Sequence, residues 1–322
     1  MEFDTLDLRL MHALEVDARA PFSRFAEVLG VSDQTVARRY RRLRTGAGVK
    51  VVGVVDRPRL GEDSWILRLR CTPDAAGPIA RSLARRSDTS WIGLTSGGTE
   101  VVCTTRSSTT EARDELLLGK LPRTPSIVEI QAHQYLHRFY GGPSGWLGKS
   151  GALTEDEVAR LRPEPGAYEA PVRPLPEDEP LLAALRADGR ASVAELQQRT
   201  GASESAVRRR LDQLVGSGTV YLDVQYDGPS FGFGVSALLW ITAAPSALDS
   251  VGRALAGHRE IAHAAAVAGP CNLTAVLVCA DSHEVYRYLS ETLGRLEGVQ
   301  HVECAPTLRQ VKQLTYEEPR IP

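Results

Sequence analysis

Two apolar spacings alternate along this chain, and the whole alternation occurs twice. Leu6, Leu10 and Leu14, with Met11 adjacent, recur at helical spacing and predict a helix over residues 4–17. Asp17-Ala18-Arg19-Ala20-Pro21 breaks it. Phe22, Phe25, Ala26 and Leu29 fall at i, i+3, i+4, i+7 and predict a second, shorter helix. Gly30-Val31-Ser32 is a tight turn in which glycine supplies positive φ. Then Val36, Tyr40 and Leu43 share one face of a third helix, with Ser32 as its N-cap and Asp33 near the positive end of its dipole. Helix, short helix, glycine turn, basic helix is the helix-turn-helix order. Residues 49–55 read as a strand leaving this unit.

From Trp65 the period changes to two. Trp65, Leu67, Leu69 and Cys71 alternate with Ile66, Arg68 and Arg70, which predicts a strand. A helix follows over 74–86, with Ile79, Leu83 and Ala84 inward, and then strands over 89–95 and 101–105 around the hairpin Ser96-Gly97-Gly98-Thr99. A helix over 110–120 and a strand over 127–136 complete a βαββαβ order, the ferredoxin-like plan. Both helices must then cover one face of an antiparallel sheet.

Residues 141–176 read as a linker rich in glycine and proline, with Pro163, Pro165, Pro171, Pro174 and Pro176. Inside it Thr154-Glu155-Asp156-Glu157 is a capping box that predicts a short helix from Glu155 to Leu161. Beyond it the first half returns. Asp17, Arg19, Ala20, Gly30, Ser32, Val36, Arg38, Arg39, Leu43 and Val49 recur 171 positions later as Asp188, Arg190, Ala191, Gly201, Ser203, Val207, Arg209, Arg210, Leu214 and Val220. Strands over 236–242, 261–268, 272–279 and 302–311 and helices over 248–258 and 283–296 repeat the second domain. The chain is thus an α+β protein: a winged or plain helix-turn-helix domain plus a ferredoxin-like βαββαβ domain, duplicated in tandem. The expected domains are 1–60, 61–140, a linker at 141–176, 177–228 and 229–318.

Composition narrows the function classes. With 43% hydrophobic residues the chain can build real cores, and a net charge of −2 excludes a protein coated in basic charge while allowing a local basic patch. No apolar run of membrane-spanning length or signal peptide is present, so no membrane partner is expected. The cysteines are Cys71, Cys103, Cys271, Cys279 and Cys304, an odd number with no C-x-x-C pair, which points to a reduced, cytoplasmic setting.

The basic patch sits on the third helix. Opposite its apolar back lie Gln34, Arg38 and Arg41, with Arg42 beside them. Arginine pairs bidentately with guanine and glutamine with adenine, while flanking arginines hold phosphates. Double-stranded DNA is therefore the expected partner. Ser32, Gln34, Thr35, Arg38, Arg39, Arg41 and Arg42 are the candidate contacts in the first copy, and Ser203, Ser205, Arg208, Arg209 and Arg210 in the second. The copies are not equal. Over 33–44, five arginines against Asp33 give +4; over 204–215, three arginines against Glu204 and Asp212 give +1.

A helix-turn-helix joined to a βαββαβ domain resembles the leucine-responsive regulatory protein/AsnC (Lrp/AsnC) family of transcription regulators. The match is carried by Leu6-Asp7 through Asp17-Ala18-Arg19, by Gly30-Val31-Ser32 with Val36, Arg39 and Leu43, and by Tyr286, Leu289, Thr292-Leu293, Leu296, Gly298-Val299 and Val311-Lys312. Family members usually carry one such unit, and this chain carries two. The resemblance implies a sequence-specific DNA-binding transcriptional regulator, with an amino acid or another small molecule as candidate effector. It also implies sheet-to-sheet pairing of the second domain, either between the two copies of one chain or with the twin in a second chain, and a homo-oligomer built through those sheets. The effector site of the family lies near a Gly-x-x-Asp turn. The matching turns here are Gly97-Gly98-Thr99-Glu100 and Gly269-Pro270-Cys271-Asn272, and neither has the aspartate. Glu100 keeps the charge and is the expected counter-charge for an α-amino group. The strand Ala237-Leu238-Leu239-Trp240-Ile241 is apolar on both faces and independently calls for a covered second face.

No catalytic machinery is expected. His133 and His137 have a helical metal spacing, but in a strand i and i+4 stand about 13 Å apart. No phosphate loop, dinucleotide glycine motif or nucleophile elbow occurs, and neither a metal nor a cofactor is called for. Two rivals remain. Siroheme decarboxylases resemble the same family and can be built of two such units; His133, His137 and Arg138 would be the candidates for that chemistry. The other rival is a ligand sensor that has lost DNA binding.

Overall fold

The computed structural model describes residues 3–107, 109–163 and 168–316. Residues 317–318 of the last expected domain and Pro165 of the expected linker lie outside the described residues. Contacts divide the chain into two units, Met1–Leu60 with Gly142–Gly232, and Gly61–Gly141 with Phe233–Pro322. Each unit therefore brings together the two copies of one domain.

In the first unit, α1 (Thr5–Val16), α2 (Phe22–Leu29), α3 (Asp33–Gly46) and β1 (Lys50–Val55) form one helix-turn-helix domain. The second consists of α7 (Glu179–Ala187), α8 (Val193–Thr200), α9 (Glu204–Gly216) and β6 (Val220–Gln225). The turn glycines do as their position demands: Gly30 and Gly201 close α2 and α8 at φ 69° and 71°. Leu10, Met11, Leu14, Phe25 and Leu43 are fully buried in the first copy, and Leu185, Leu196 and Leu214 in the second. β1 pairs antiparallel with β6, Lys50 opposite Gln225 through Val55 opposite Val220. Two equivalent arginines fasten the copies reciprocally. Arg19 donates to the carbonyls of Gly189 (2.6 Å) and Ala191 (2.9 Å), and Arg190 to those of Ala18 and Ala20 (the latter 3.0 Å). The two DNA-binding domains are thus paired within one chain.

The expected linker is largely a wall of the first copy. A short 3-10 turn, Leu147–Ser150, and α6 (Glu155–Leu161) lie against α1 and α2. Arg9 pairs with Glu157 at 2.5 Å, and Arg24 donates to the Arg160 carbonyl at 2.8 Å. The Leu153 amide donates to His12 Nδ1 at 3.1 Å, and the Gly148 amide to Glu15 Oε2 at 3.1 Å. Burial pushes Glu15 up to about 8 although backbone amides favour its charge. In the second copy the equivalent residues are Pro180, Ala183, Arg186 and Glu195; Arg186 pairs with Glu179 and Glu195 caps its own helix at Ser192.

In the second unit the first βαββαβ set is β2 (Trp65–Cys71), α4 (Ala76–Ala84), β3 (Thr89–Thr95), β4 (Glu100–Thr105), α5 (Thr110–Asp114) and β5 (Ile127–Tyr140). The repeat is β7 (Val235–Ala243), α10 (Leu248–Gly257), β8 (Ile261–Val267), β9 (Leu273–Cys279), α11 (Ser282–Arg287) and β10 (Val299–Pro306), followed by β11 (Arg309–Lys312). The expected helices over 110–120 and 283–296 both pass into a wide π turn, Glu115–Lys120 and Tyr288–Thr292. Each wide turn carries the residue that enters the core, Leu116 or Tyr288.

The sheets join end to end in the order β10-β7-β9-β8-β5-β2-β4-β3-β11. The expected single last strand is two strands with different neighbours: β10 pairs with β7, and β11 crosses to β3 of the other copy. β5 does the same in one piece, lying on β2 up to Gln134 and on β8 from Tyr135. The faces away from the helices close on each other. Ile66 and Val102 of the first sheet pack with Leu238, Trp240 and Val267 of the second. The doubly apolar strand is thereby explained: Leu239 and Ile241 enter the helix-side core, and Leu238 and Trp240 face the sister sheet. Of the two pairings left open, within one chain or between chains, the structure has the first. The faces expected to build a homo-oligomer are already covered within the chain.

Candidate nucleic-acid interface and the space between the sheets

α3 begins where its cap predicts, with Ser32 Oγ accepting the Thr35 amide at 3.2 Å; Ser203 does the same for Ala206 at the start of α9, at 3.3 Å. These serines are committed to capping first. Val36, Tyr40 and Leu43 are buried, and the opposite line of Gln34, Arg38 and Arg41 is exposed. Arg38 and Arg41 make no side-chain ion pair among the described residues, so their guanidinium groups are open to an outside anion.

Arg39 and Arg42 differ from these in having carboxylate partners inside the protein. Asp7 on α1 has no exposed surface, and it pairs with Arg39 at 3.0 Å and with Arg42. Arg39 also reaches Asp4 at 2.7 Å, and that bond holds Asp4 below the usual carboxylate range. The second copy repeats the device with Asp178, which Arg210 holds below the carboxylate range from 2.5 Å. Arg39, Arg42 and Arg210 therefore lock the recognition helix to the first helix. Inside the protein they act as positioning residues. The signal was present in the sequence, since Asp7 and Asp178 stand 171 positions apart. Arg208 is exposed and pairs with Glu204 one turn back at 2.6 Å, a bond that DNA can replace at little cost. Ser205 and Arg209 are exposed.

The two hairpins are more closed than the effector expectation requires. Glu100 is buried, accepts from Arg68 at 2.9 Å and from Thr95 Oγ1 at 3.0 Å, and so already has its cation. Arg68 also grips Glu303 at 2.7 Å from the sister sheet and lies 4.8 Å from the centre of the Trp240 ring. Burial works against the Arg68 charge, but Glu303 and Glu100 outweigh it and raise its pKa; Arg68 in turn lowers that of Glu303. Asn272 spends its side chain on the backbone of Ala243, accepting at 2.9 Å and donating at 2.8 Å. Gly97, Gly98 and Thr99 form the turn before Glu100, and Pro270 and Cys271 the turn before Asn272. Gly269 leaves room for His133, whose ring would meet a Cβ there at 2.5 Å. His133 donates from Nδ1 to the Ala268 carbonyl at 2.9 Å, and its buried Nε2 has no hydrogen-bond partner among the described residues. Its pKa is lowered by burial. His137, on the same strand, is exposed and touches Phe139 instead. The structure separates these two histidines in environment.

The AsnC-type helix-turn-helix domain profile matches residues 3–44 and again 178–215, and the Lrp/AsnC ligand-binding domain profile matches 236–316. The chain belongs to the Lrp/AsnC family. The first βαββαβ domain keeps this family's fold plan in the structure. An HTH-type transcriptional regulator of Pyrococcus horikoshii is 27% identical over 140 residues, covering 43% of this chain and 88% of the relative. The regulator FL11 of the same organism is 24% identical over 144 residues, covering 44% and 95%. Each relative thus spans about one of the two repeats. Among solved structures, the siroheme decarboxylase NirDL is similar over 97% of this chain and 94% of its own, with a TM-score of 0.62 and 15% identity. That likeness establishes a shared tandem fold. Among the described residues no helix is long and apolar enough to cross a membrane.

Proposed function

We propose that this family member is a sequence-specific DNA-binding transcriptional regulator that pairs two helix-turn-helix domains in one polypeptide, working in the cytoplasm. The observation that carries the reading is the open line of Gln34, Arg38 and Arg41, held against a rigid back by Asp7. A helix that needed its arginines only for folding would have them paired, as Arg39 and Arg42 are. Arg38 and Arg41 suit guanine and phosphate, and Gln34 suits adenine. An amino acid or related small molecule is the effector class to test, and the Gly97–Glu100 and Gly269–Asn272 turns are its candidate surroundings. Such a ligand has to displace Arg68 from Glu100 before an ammonium group can take its place. A mobility shift on DNA flanking the protein's own gene, with and without an amino-acid mixture, tests both parts. Loss of the shifted band with Arg38→Ala supports the reading; an unchanged band contradicts it.

A second reading rests on the full-length likeness to NirDL. In it the space between the sheets binds a tetrapyrrole, with His133 as the acid–base group. The packing of Trp240, Ile66, Val102, Leu238 and Val267 in that space weighs against it. Addition of siroheme decides: a shifted absorption band at stoichiometric protein supports an enzyme, and an unchanged spectrum supports the regulator.

A further inference from the structure

The groove-facing line of α3 continues from Gln34, Arg38 and Arg41 to Thr45, and all four are exposed. Its counterpart in α9 runs through Ser205, Arg209, Asp212 and Gly216, and the second half of that line is occupied. The Tyr168 hydroxyl donates to Asp212 Oδ2 at 3.2 Å. Its ring lies so close to Gly216 that a Cβ there would meet a ring carbon at 3.2 Å. The strap continues along the end of the helix. The Val172 amide donates to Ser217 Oγ at 3.3 Å, and Thr219 Oγ1 donates to the Val172 carbonyl at 2.9 Å. Arg210 donates to the Arg173 carbonyl at 3.2 Å, and Arg173 to the Leu60 carbonyl at 2.8 Å.

Apart from Arg210, which matches Arg39, the residues of α9 and its end that receive the strap are ones in which the copies differ. Asp212, Gly216, Ser217 and Thr219 stand where the first copy has Arg41, Thr45, Gly46 and Gly48. Aspartate accepts the phenol where arginine would reach for phosphate. Glycine admits the ring where threonine would obstruct it. The two hydroxyls hold the strap backbone where glycines offer nothing. Four coordinated changes toward one occupant are more than a weakened DNA surface needs. We propose that the groove face of α9 is the seat of the 168–173 strap and not a DNA-reading surface, so that the chain reads its operator through α3 alone. This rests on the regulator reading above.

The test is selection from a random duplex library with the full chain, the Tyr168→Ala variant and the Tyr168→Phe variant, which keeps the ring. Hydrogen exchange of amides 212–219 is followed in the same three proteins. The expected result is one information-rich half-site for all three, with affinities within about twofold of one another. Exchange of 212–219 should rise in Tyr168→Ala and less in Tyr168→Phe. A wild-type motif of two equal half-sites one helical turn apart overturns the proposal. So does a second half-site or about tenfold tighter binding in Tyr168→Ala, because the face would then be a masked reader. Unchanged exchange in Tyr168→Ala overturns the seat itself. If no sequence is enriched by any protein, the regulator reading falls and the proposal with it, while the exchange data still report whether the strap is seated.

Discussion

The two copies of the repeat share a backbone and have parted in the use of charge. In the first, α3 turns Arg38 and Arg41 outward, and α1 turns Arg9, His12 and Glu15 toward the segment that holds Gly148, Leu153 and Glu157. In the second, α9 carries Asp212 on the same line, and the α1 hooks have become Pro180, Ala183 and Arg186. Between the sheets the same divergence appears. Arg68 and Trp240 are equivalent positions 172 apart, and they stack on each other across the local two-fold. What stays alike is what joins the copies, β1 on β6 and Arg19 with Arg190, and what locks each recognition helix, Asp7 with Arg39 and Asp178 with Arg210. Covalent linkage explains the pattern. Once two copies sit in one chain, equivalent positions no longer have to match, and each face is free to specialise.

The comparison can be broken most severely at its locks. Asp7→Ala removes the buried anion that Arg39 and Arg42 share, leaving Arg39 with Asp4 alone, and should cost about 3 kcal/mol of stability in urea denaturation. Asp178→Ala frees one arginine and should cost about 1.5–3 kcal/mol. Equal losses would mean that Arg42 adds nothing to the first lock. Next comes the sheet interface. Arg68→Ala leaves Glu100 buried and unpaired, for about 2–4 kcal/mol, whereas Arg68→Met combined with Glu100→Gln and Glu303→Gln should recover most of it. If the triple change is as damaging as the single one, shape and not charge balance governs that interface.

A smaller effect sharpens the contrast between the two α1 helices. Glu15 has its pKa raised to about 8, so the folded protein holds a proton that the unfolded chain releases near the usual glutamate range. This contribution to stability is complete below about 4.5, falls as pH rises toward 8, and is gone above it. Thermal denaturation from pH 5 to pH 9 should show the loss in the wild type and a flatter profile in Glu15→Gln. A profile unaffected by that substitution would mean that Glu15 is ionised in the folded state. Least of all, Arg208→Ala should change stability by under about 0.5 kcal/mol, since its partner Glu204 is an exposed neighbour.

The fold was legible because apolar spacing is a local property. The periods over 4–17, 22–29 and 32–44 placed three helices, and the 171-residue recurrence placed them again. The sheet crossovers were not legible. Nothing in Val299–Lys312 says that Pro306 ends one pairing and Arg309 begins another with a distant strand, because register is decided by partners far off in sequence. The candidate site was half legible. Helical geometry separated Gln34, Arg38 and Arg41 from the buried face, but charge alone could not distinguish Arg39 and Arg42, whose anion lies on another helix. Glu100 was read as an open carboxylate for the same reason: its partner Arg68 is 32 residues away.

The central claim is that the first copy is the reader and the second its structural mate. Binding titrations with Arg38→Ala and Arg209→Ala against one bound operator, repeated over several salt concentrations, test it most directly. Arg38→Ala should cost about 1–3 kcal/mol and relax base specificity, while Arg209→Ala should cost less and leave specificity unchanged. A larger loss with Arg209→Ala, or no loss with either, would contradict the account.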